Sequence, residues 1–313
     1  MAKQNESNNL GHYFDPQVIA GLKGLTVRAR RVVEGVMLGM HRSPFRGISV
    51  EFSQHRNYMP GDDLRHLDWK VYAKSDRLYI KQYEQETSLS CHFVLDTSES
   101  MSYAGGSPLS KFDYAATRVA SFAHLVIAQQ DSVGLTLFSE NVRTTLPARS
   151  TFGHLSNMMA TMEEVSIDGM TRIGGSLGPV AGHLKRRSLV VLVSDFLDDA
   201  DPLSYGLNRL RFDGHDVMVL HIADPWEREF PFAGPSVLLG HEKSGRLVCN
   251  PLDLKEIYLE ERKAHLDDIR GACRSLHYDY QDISTDEPLD VALATLLRAR
   301  DASMGNQRRT AFK

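Results

Sequence analysis

The chain has 313 residues, enough for one large domain with an appendage or for two modest domains. Hydrophobic residues make up 42% of it and charged residues 24%, so the composition excludes a disordered, collagen-like or disulfide-rich protein. The formal net charge of −4 provides no broad positive field, and we expect no binding to nucleic acid.

The cysteines and the polar first residues bear on the cellular compartment. Cys91, Cys249 and Cys273 are odd in number and widely spaced, which argues against a disulfide framework and against a four-cysteine zinc site. Residues 1–9 lack the apolar core of a signal peptide, and no apolar run approaches the roughly 20 residues of a spanning helix. The sequence therefore predicts a cytoplasmic protein without a membrane span.

The first part of the chain combines a helical pattern with short β-type runs. Residues 1–12 are polar and are predicted to be a flexible tail. Residues 17–40 have apolar positions at helical spacing, with an expected break at Gly24. Around 48–52 and 78–83 the pattern favours strands. We therefore predict an N-terminal helix and a small β-rich subdomain over residues 13–88.

From residue 89 the chain alternates between strand-like and helix-like segments. This alternation predicts an α/β domain over residues 89–302 with a mostly parallel sheet, followed by a flexible tail at 303–313. The predicted strands are 91–95, 133–138, 142–146, 189–193, 217–222 and 278–283, and a hairpin is expected at 237–248. The predicted helices are 114–129, 151–165, 173–185, 202–211, 254–275 and 288–300.

A motif rich in side-chain oxygens follows the first of these strands. Asp96, Ser98 and Ser100 stand in the order D-x-S-x-S, where the carboxyl end of a parallel strand borders the ligand-binding crevice of α/β proteins. Thr171 precedes a predicted helix and Asp195 follows another strand, so both are expected near that edge. Hard divalent cations prefer oxygen ligands. These side chains therefore predict a Mg²⁺ site, with Mn²⁺ or Ca²⁺ as alternatives.

With these positions filled, residues 89–300 resemble the von Willebrand factor A domain, whose metal-ion-dependent adhesion site uses D-x-S-x-S, a later Thr and a later Asp. The resemblance implies a Rossmann-like sheet in which Ser98, Ser100 and Thr171 contact the metal directly. It also implies that Asp96 and Asp195 act through water, and that a carboxylate of a partner protein completes the coordination shell.

The N-terminal part carries a second resemblance. RNYMPGDDLRHLDW at residues 56–69 and IKQYEQE at residues 80–86 look like the signature of the bacterial domain-of-unknown-function family numbered fifty-eight. The resemblance implies a partnership with a MoxR-type AAA+ ATPase. The match to the adhesion site departs at residues 194–196, which read Ser-Asp-Phe where Thr-Asp-Gly is commoner.

Several interpretations remain open for these residues. Asp96, Ser98 and Ser100 are also common at helix N-caps and turns, where they bond to the local backbone. The acids of residues 62–68 are either a second metal cluster or a solvated turn. The glycines of residues 174–178 are either a phosphate cradle or a close-packed helix start.

Three classes of function are compatible with the chain. The first is a non-enzymatic, metal-dependent adaptor that binds an acidic group on a partner protein. The second is a Mg²⁺-dependent phosphoesterase with Asp96 as nucleophile, although such enzymes typically place a general-acid Asp two residues later, where this chain has Ser98. The third is a scaffold whose site holds no metal. We predict the adaptor.

Overall fold

The computed structural model describes residues 15–42, 55–57, 79–81, 90–184, 187–198, 200–240 and 245–289. Contacts divide the chain into two compact units, Met1–Gly39 together with Leu89–Lys313, and Met40–Ser88. The predicted strand run at 48–52, the helix at 288–300 beyond residue 289 and the two predicted tails lie outside the described residues.

Two helices are the first described elements of the larger unit. Helix α1 (Pro16–Ala20) is capped by the Asp15 carboxylate, and helix α2 (Leu25–Arg42) follows Gly24, whose φ of +85° is a conformation that suits glycine. The predicted break at Gly24 is therefore confirmed. The sequence grouped this helical region with the β-rich subdomain, but contacts place residues 16–39 with the sheet, since Leu25, Ala29 and Val32 are buried in its core.

A six-stranded, mostly parallel sheet forms the centre of this unit, which confirms the predicted α/β class. Its strands are β3 (Ser90–Asp96), β4 (Ser132–Phe138), β5 (Val142–Arg149), β6 (Leu189–Ser194), β7 (Asp216–Ala223) and β10 (Asp279–Ser284). Their spatial order is β10-β7-β6-β3-β4-β5, and only β5 is antiparallel to its neighbour. The uniformly apolar run at 189–193 lies in the inner strand β6, as expected for a strand covered on both faces.

Helices cover both faces of the sheet. The other described helices are α3 (Lys111–Ala128), α4 (Phe152–Glu164), α5 (Ile173–His183), α6 (Ala200–Phe212), α7 (Pro225–Glu229) and α8 (Pro251–Ser275). Each face has its own hydrophobic core: α2, α3 and α4 contribute to one, and α5, α6 and α8 contribute to the other. This layering follows from parallel strands, whose crossover connections place helices on the sheet faces.

Two small antiparallel pairs complete the described strands. In the smaller unit, β1 (His55–Asn57) pairs with β2 (Tyr79–Lys81), the latter inside a predicted strand run. In the larger unit, β8 (Ser236–Leu239) pairs with β9 (Arg246–Cys249), which confirms the predicted hairpin. Among the described helices, none has both the length and the apolarity needed to cross a membrane.

Candidate functional site

Two neighbouring strands bring the predicted carboxylates to one edge of the sheet. Asp96 ends β3 and Ser194 ends β6, and these strands pair in parallel with Leu95 opposite Val193. The hydroxyl of Ser194 consequently donates a 2.5 Å hydrogen bond to Oδ2 of Asp96. Asp195 follows directly, and both carboxylates are buried. The carboxyl ends of the two strands thus form the floor of the site.

The serines of the D-x-S-x-S motif fold back over Asp96. The backbone N–H of Ser98 donates to Oδ1 of Asp96 at 2.9 Å, so the residue is held in a turn. A 3₁₀ turn, Glu99–Ser102, then brings the Oγ of Ser100 to 3.1 Å from the Oγ of Ser98. Adjacent ligands of an octahedral Mg²⁺ ion lie about 3 Å apart, so the two hydroxyls have a spacing that suits such an ion.

The loop that carries Thr171 is bonded to the loop of the serines. The N–H of Asp168 donates to the carbonyl of Thr97 at 3.0 Å, and the N–H of Glu99 donates to the carbonyl of Gly169 at 2.9 Å. Gly169 has a φ of +81°, which allows the chain to turn between these two bonds. Thr171 itself is buried. Two backbone bonds therefore fix the segment that leads into Thr171 against the motif.

Asp195 has a charged partner that the sequence analysis did not identify. The ammonium of Lys111 donates to Oδ2 of Asp195 at 2.7 Å and to Oε1 of Glu227 at 2.6 Å, and Lys111 has no exposed surface. Burial alone would raise the pKa of Asp195, but the Lys111 charge and hydrogen bonds from Lys111 and Ser100 lower it below its usual value. Asp195 is therefore ionised in the folded protein.

Asp96 has a different electrostatic environment. Burial and the nearby charge of Asp195 raise the pKa of Asp96 to about 7, against the hydrogen bonds from Ser194 and Ser98. Among the described residues, its hydrogen-bond donors are a backbone N–H and the hydroxyl groups of Ser194 and Ser98, without a cation. A divalent cation would compensate the negative charge of ionised Asp96. The electrostatics of the site therefore suit a metal ion, as the spacing of the serine oxygens does.

The loop after β6 follows a path that glycine would favour. Phe196 has a φ of +55°, in the left-handed region, at the position where Thr-Asp-Gly would place glycine. Its side chain is buried and packs edge-on against His221, with ring centroids 6.0 Å apart. Its carbonyl bonds to His265 at 2.8 Å. Packing and hydrogen bonds thus hold a phenylalanine in this conformation.

The four predicted site residues Asp96, Ser98, Ser100 and Asp195 are joined by hydrogen bonds, and Thr171 is held by its neighbours. The sequence analysis missed Lys111, Ser194 and Glu227. Lys111 carried a usable signal, because a lysine in the first turn of an apolar helix opposes the helix dipole and needs another reason to be there. Within the described ranges, no three His, Cys, Asp or Glu side chains are grouped to hold a metal.

Comparison with known proteins identifies the family. The family model described as "Protein of unknown function DUF58" matches residues 54–261. This chain belongs to the DUF58 family. Relatives of this DUF58 chain include the uncharacterized proteins Mb1516 of Mycobacterium bovis and Rv1480 of Mycobacterium tuberculosis, each 26% identical over 306 residues and covering 95% of both chains.

Solved structures similar to this DUF58 chain include BatB from Bacteroides thetaiotaomicron and the VWA domain of SpRpn10. The BatB structure has a TM-score of 0.45 at 16% identity and covers 68% of this chain and 98% of its own. The SpRpn10 domain has a TM-score of 0.41 at 16% identity and covers 66% and 94%. The acids of residues 62–68, with their two open interpretations, fall in the DUF58 match but outside the described residues, as does most of the motif at 56–69.

Proposed function

We propose that this DUF58 chain is a non-enzymatic adaptor that binds a partner protein through a divalent cation held at the edge of its sheet. The observation that carries the proposal is the 3.1 Å separation of the Ser98 and Ser100 hydroxyls above two buried carboxylates. Ser98, Ser100 and Thr171 would hold the ion directly, with Asp96 and Asp195 behind them. When bound, Mg²⁺ offers a coordination position to a carboxylate of the partner.

The surroundings of the site support a protein as the partner. Large apolar side chains next to the site residues are exposed: Met170 before Thr171 is 39% exposed, and Leu197 after Phe196 is 55% exposed. Exposed apolar side chains beside a polar site offer a partner protein apolar surface to bury. By the family resemblance, the proposed partner that binds at this site is a MoxR-type AAA+ ATPase in the cytoplasm.

The phosphoesterase alternative has less support. A nucleophilic Asp96 would need a free carboxylate oxygen directed at substrate, but both of its oxygens accept hydrogen bonds from Ser98 and Ser194. Asp96 also has no exposed surface. We expect no Mg²⁺-dependent hydrolysis of phosphoesters above a protein-free control, and turnover that disappears in Asp96→Asn would replace the adaptor proposal with the enzyme.

Calorimetric titration with Mg²⁺ and Mn²⁺ tests the metal site. We expect the wild type to bind one ion with modest affinity, and Ser100→Ala to weaken binding about tenfold or more, because it removes a ligand oxygen. Ser102→Ala is the matched control: Ser102 ends the same 3₁₀ turn, but it is exposed and its hydroxyl bonds to the carbonyl of Glu99. Equal binding by all three proteins, or no binding by any, would contradict the proposal.

A further inference from the structure

Lys111 is a buried cation that the proposed function does not use. It occupies the first turn of α3, where the helix dipole opposes a positive charge, and it has no exposed surface. Burial alone would lower the pKa of Lys111, but Asp195 and Glu227 outweigh this effect and raise it, so the amine keeps its proton. Two carboxylates, at 2.7 and 2.6 Å, hold this charge in place.

The carboxylates around the candidate site outnumber this cation. The three acids are Asp96, Asp195 and Glu227. Lys111 bonds to Asp195 and Glu227, and the charge of Asp195 acts on Asp96. When all are ionised, the four groups together carry a charge of −2, which a divalent cation would balance. Lys111 and an ion beside Ser98 and Ser100 would both be attracted to the carboxylate of Asp195 and would repel each other.

We infer that Lys111 is a built-in counter-ion of the candidate cation site: it keeps Asp195 in place without metal, and it weakens cation binding by competing for that carboxylate. This inference rests on the proposed function. It implies that the folded site exists before the ion binds. It also implies that the moderate cation affinity is set by a residue that contributes no ligand atom.

Glu227, the second carboxylate bonded to Lys111, is itself held by hydrogen bonds. The other oxygen of Glu227 accepts the N–H of Asp224 at 2.8 Å, which completes a capping box at the start of α7. Asp224 in turn accepts the N–H groups of Gly105 and Gly106 at 3.0 and 2.8 Å. The carboxylate of Glu227, the second partner of Lys111, is therefore fixed by the bonded turn at the start of α7.

Two substitutions in this network have opposite expected effects on cation binding. Lys111→Gln removes the competing charge and leaves Asp195 and Glu227 uncompensated, so Mg²⁺ should bind at least about tenfold more tightly. Glu227→Gln removes a negative charge and leaves Lys111 paired with Asp195 alone, so Mg²⁺ should bind several-fold more weakly. Both should lower the melting temperature without metal, but Mg²⁺ should restore it only in Lys111→Gln.

Calorimetry and thermal melting of the full chain with MgCl₂ measure both effects. Weaker or unchanged Mg²⁺ binding by Lys111→Gln, while the wild type binds, would overturn this inference and leave the proposed function standing. Failure of the wild type and of both variants to bind would overturn the proposed function and this inference with it. If Lys111→Gln folds only when Mg²⁺ is present, the inference is supported. If it folds under neither condition, Glu227→Gln decides: weaker Mg²⁺ binding than that of the wild type supports the inference, and unchanged or tighter binding overturns it.

Discussion

His92 lies in the inner strand β3, and its imidazole is almost fully buried. It pairs across the sheet with Gly134, where an added Cβ would come within 2.3 Å of Nδ1 of His92, and its Nε2 is 2.8 Å from the Thr136 hydroxyl. Burial, with smaller effects from His183 and His215, lowers the pKa of His92 to about 4. The glycine therefore makes room for a histidine that is neutral at physiological pH.

Acid should destabilise the protein through His92. Because its folded-state pKa of about 4 lies below the ordinary value of 6.5, its contribution is complete above pH 6.5 and is lost as pH falls toward 4. Between pH 7.5 and 5.0 the wild type should lose about 2 kcal/mol more unfolding free energy than His92→Gln. Urea denaturation at the two pH values measures the difference.

The matched control for this experiment is His277→Asn. His277 is exposed, and asparagine tolerates its positive φ of +56°. Its unfolding free energy should depend on pH as that of the wild type does. A His92→Gln protein that follows the wild-type pH dependence would show that another group carries the acid sensitivity.

At the residue scale, the sequence predicted oxygen-bearing side chains but not the charges that balance them. The D-x-S-x-S spacing and the strand ends were sufficient to bring Asp96, Ser98 and Ser100 together. The contacts of Lys111 with Asp195 and Glu227 were not predicted, because no strand-end pattern connects the start of a helix with those carboxylates. Hydrophobic periodicity reports which face of an element is buried, and it contains no information on which distant side chains meet.

At the element scale, helix α5 shows which of its glycines is needed. A Cβ on Gly174 would lie 2.3 Å from Cβ and 2.5 Å from the backbone carbon of Pro202 in α6, whereas a Cβ on Gly175 meets nothing within 4 Å. The glycine-rich start of α5 therefore fits a neighbouring helix, which is the close-packing interpretation, with α6 and not the sheet as the contact. The phosphate-cradle interpretation has no such observation in its favour.

Alanine substitutions at these two glycines should have opposite effects on stability. Gly174→Ala should cost about 1–3 kcal/mol because the backbone of Pro202 must move. Gly175→Ala should stabilise by about 0.5–1 kcal/mol because Gly175 is exposed in the same helix and alanine is the better helix former. Guanidinium denaturation measures both. If the two proteins changed in the same direction, the contact between α5 and α6 would be looser than this packing implies.

The order and type of the elements were largely predictable, because long segments with clear periodicity determine them. The predicted strands at 91–95 and 189–193 coincide with β3 and β6 to within one residue at each end. Helix boundaries were less accurate: the predicted start at 114 lies three residues after Lys111, the observed one. That error concealed the cap at Ser110 and with it the position of Lys111 at the site.

At the scale of the whole molecule, the site lies at the carboxyl ends of the parallel strands, and helix α6 ends near their amino ends. Leu197 belongs to the loop after β6, at the edge where the parallel strands end. Phe212 ends α6 just before β7 begins, so it lies at the opposite edge, and it is 83% exposed. The two residues are therefore a matched pair of large exposed apolar side chains, one beside the site and one remote from it.

This pair tests the proposed partnership with a MoxR-type AAA+ ATPase. In pull-downs with Mg²⁺ present throughout, we expect Leu197→Ser to reduce capture of the purified ATPase about tenfold or more, because an exposed apolar contact is lost while the oxygen ligands remain. Ser100→Ala should reduce capture through the ion, and Phe212→Ser should leave it unchanged. Keeping Mg²⁺ constant matters, since the ATPase itself needs it for nucleotide binding.

Calorimetry on the variants is the control for this pull-down. Leu197→Ser should bind Mg²⁺ with wild-type affinity, which would show that its loss of capture comes from the lost apolar contact and not from a lost ion. Equal capture by the Leu197 and Phe212 variants would place the partner elsewhere on the molecule, and capture of no ATPase by the wild type would remove the partnership from the proposal.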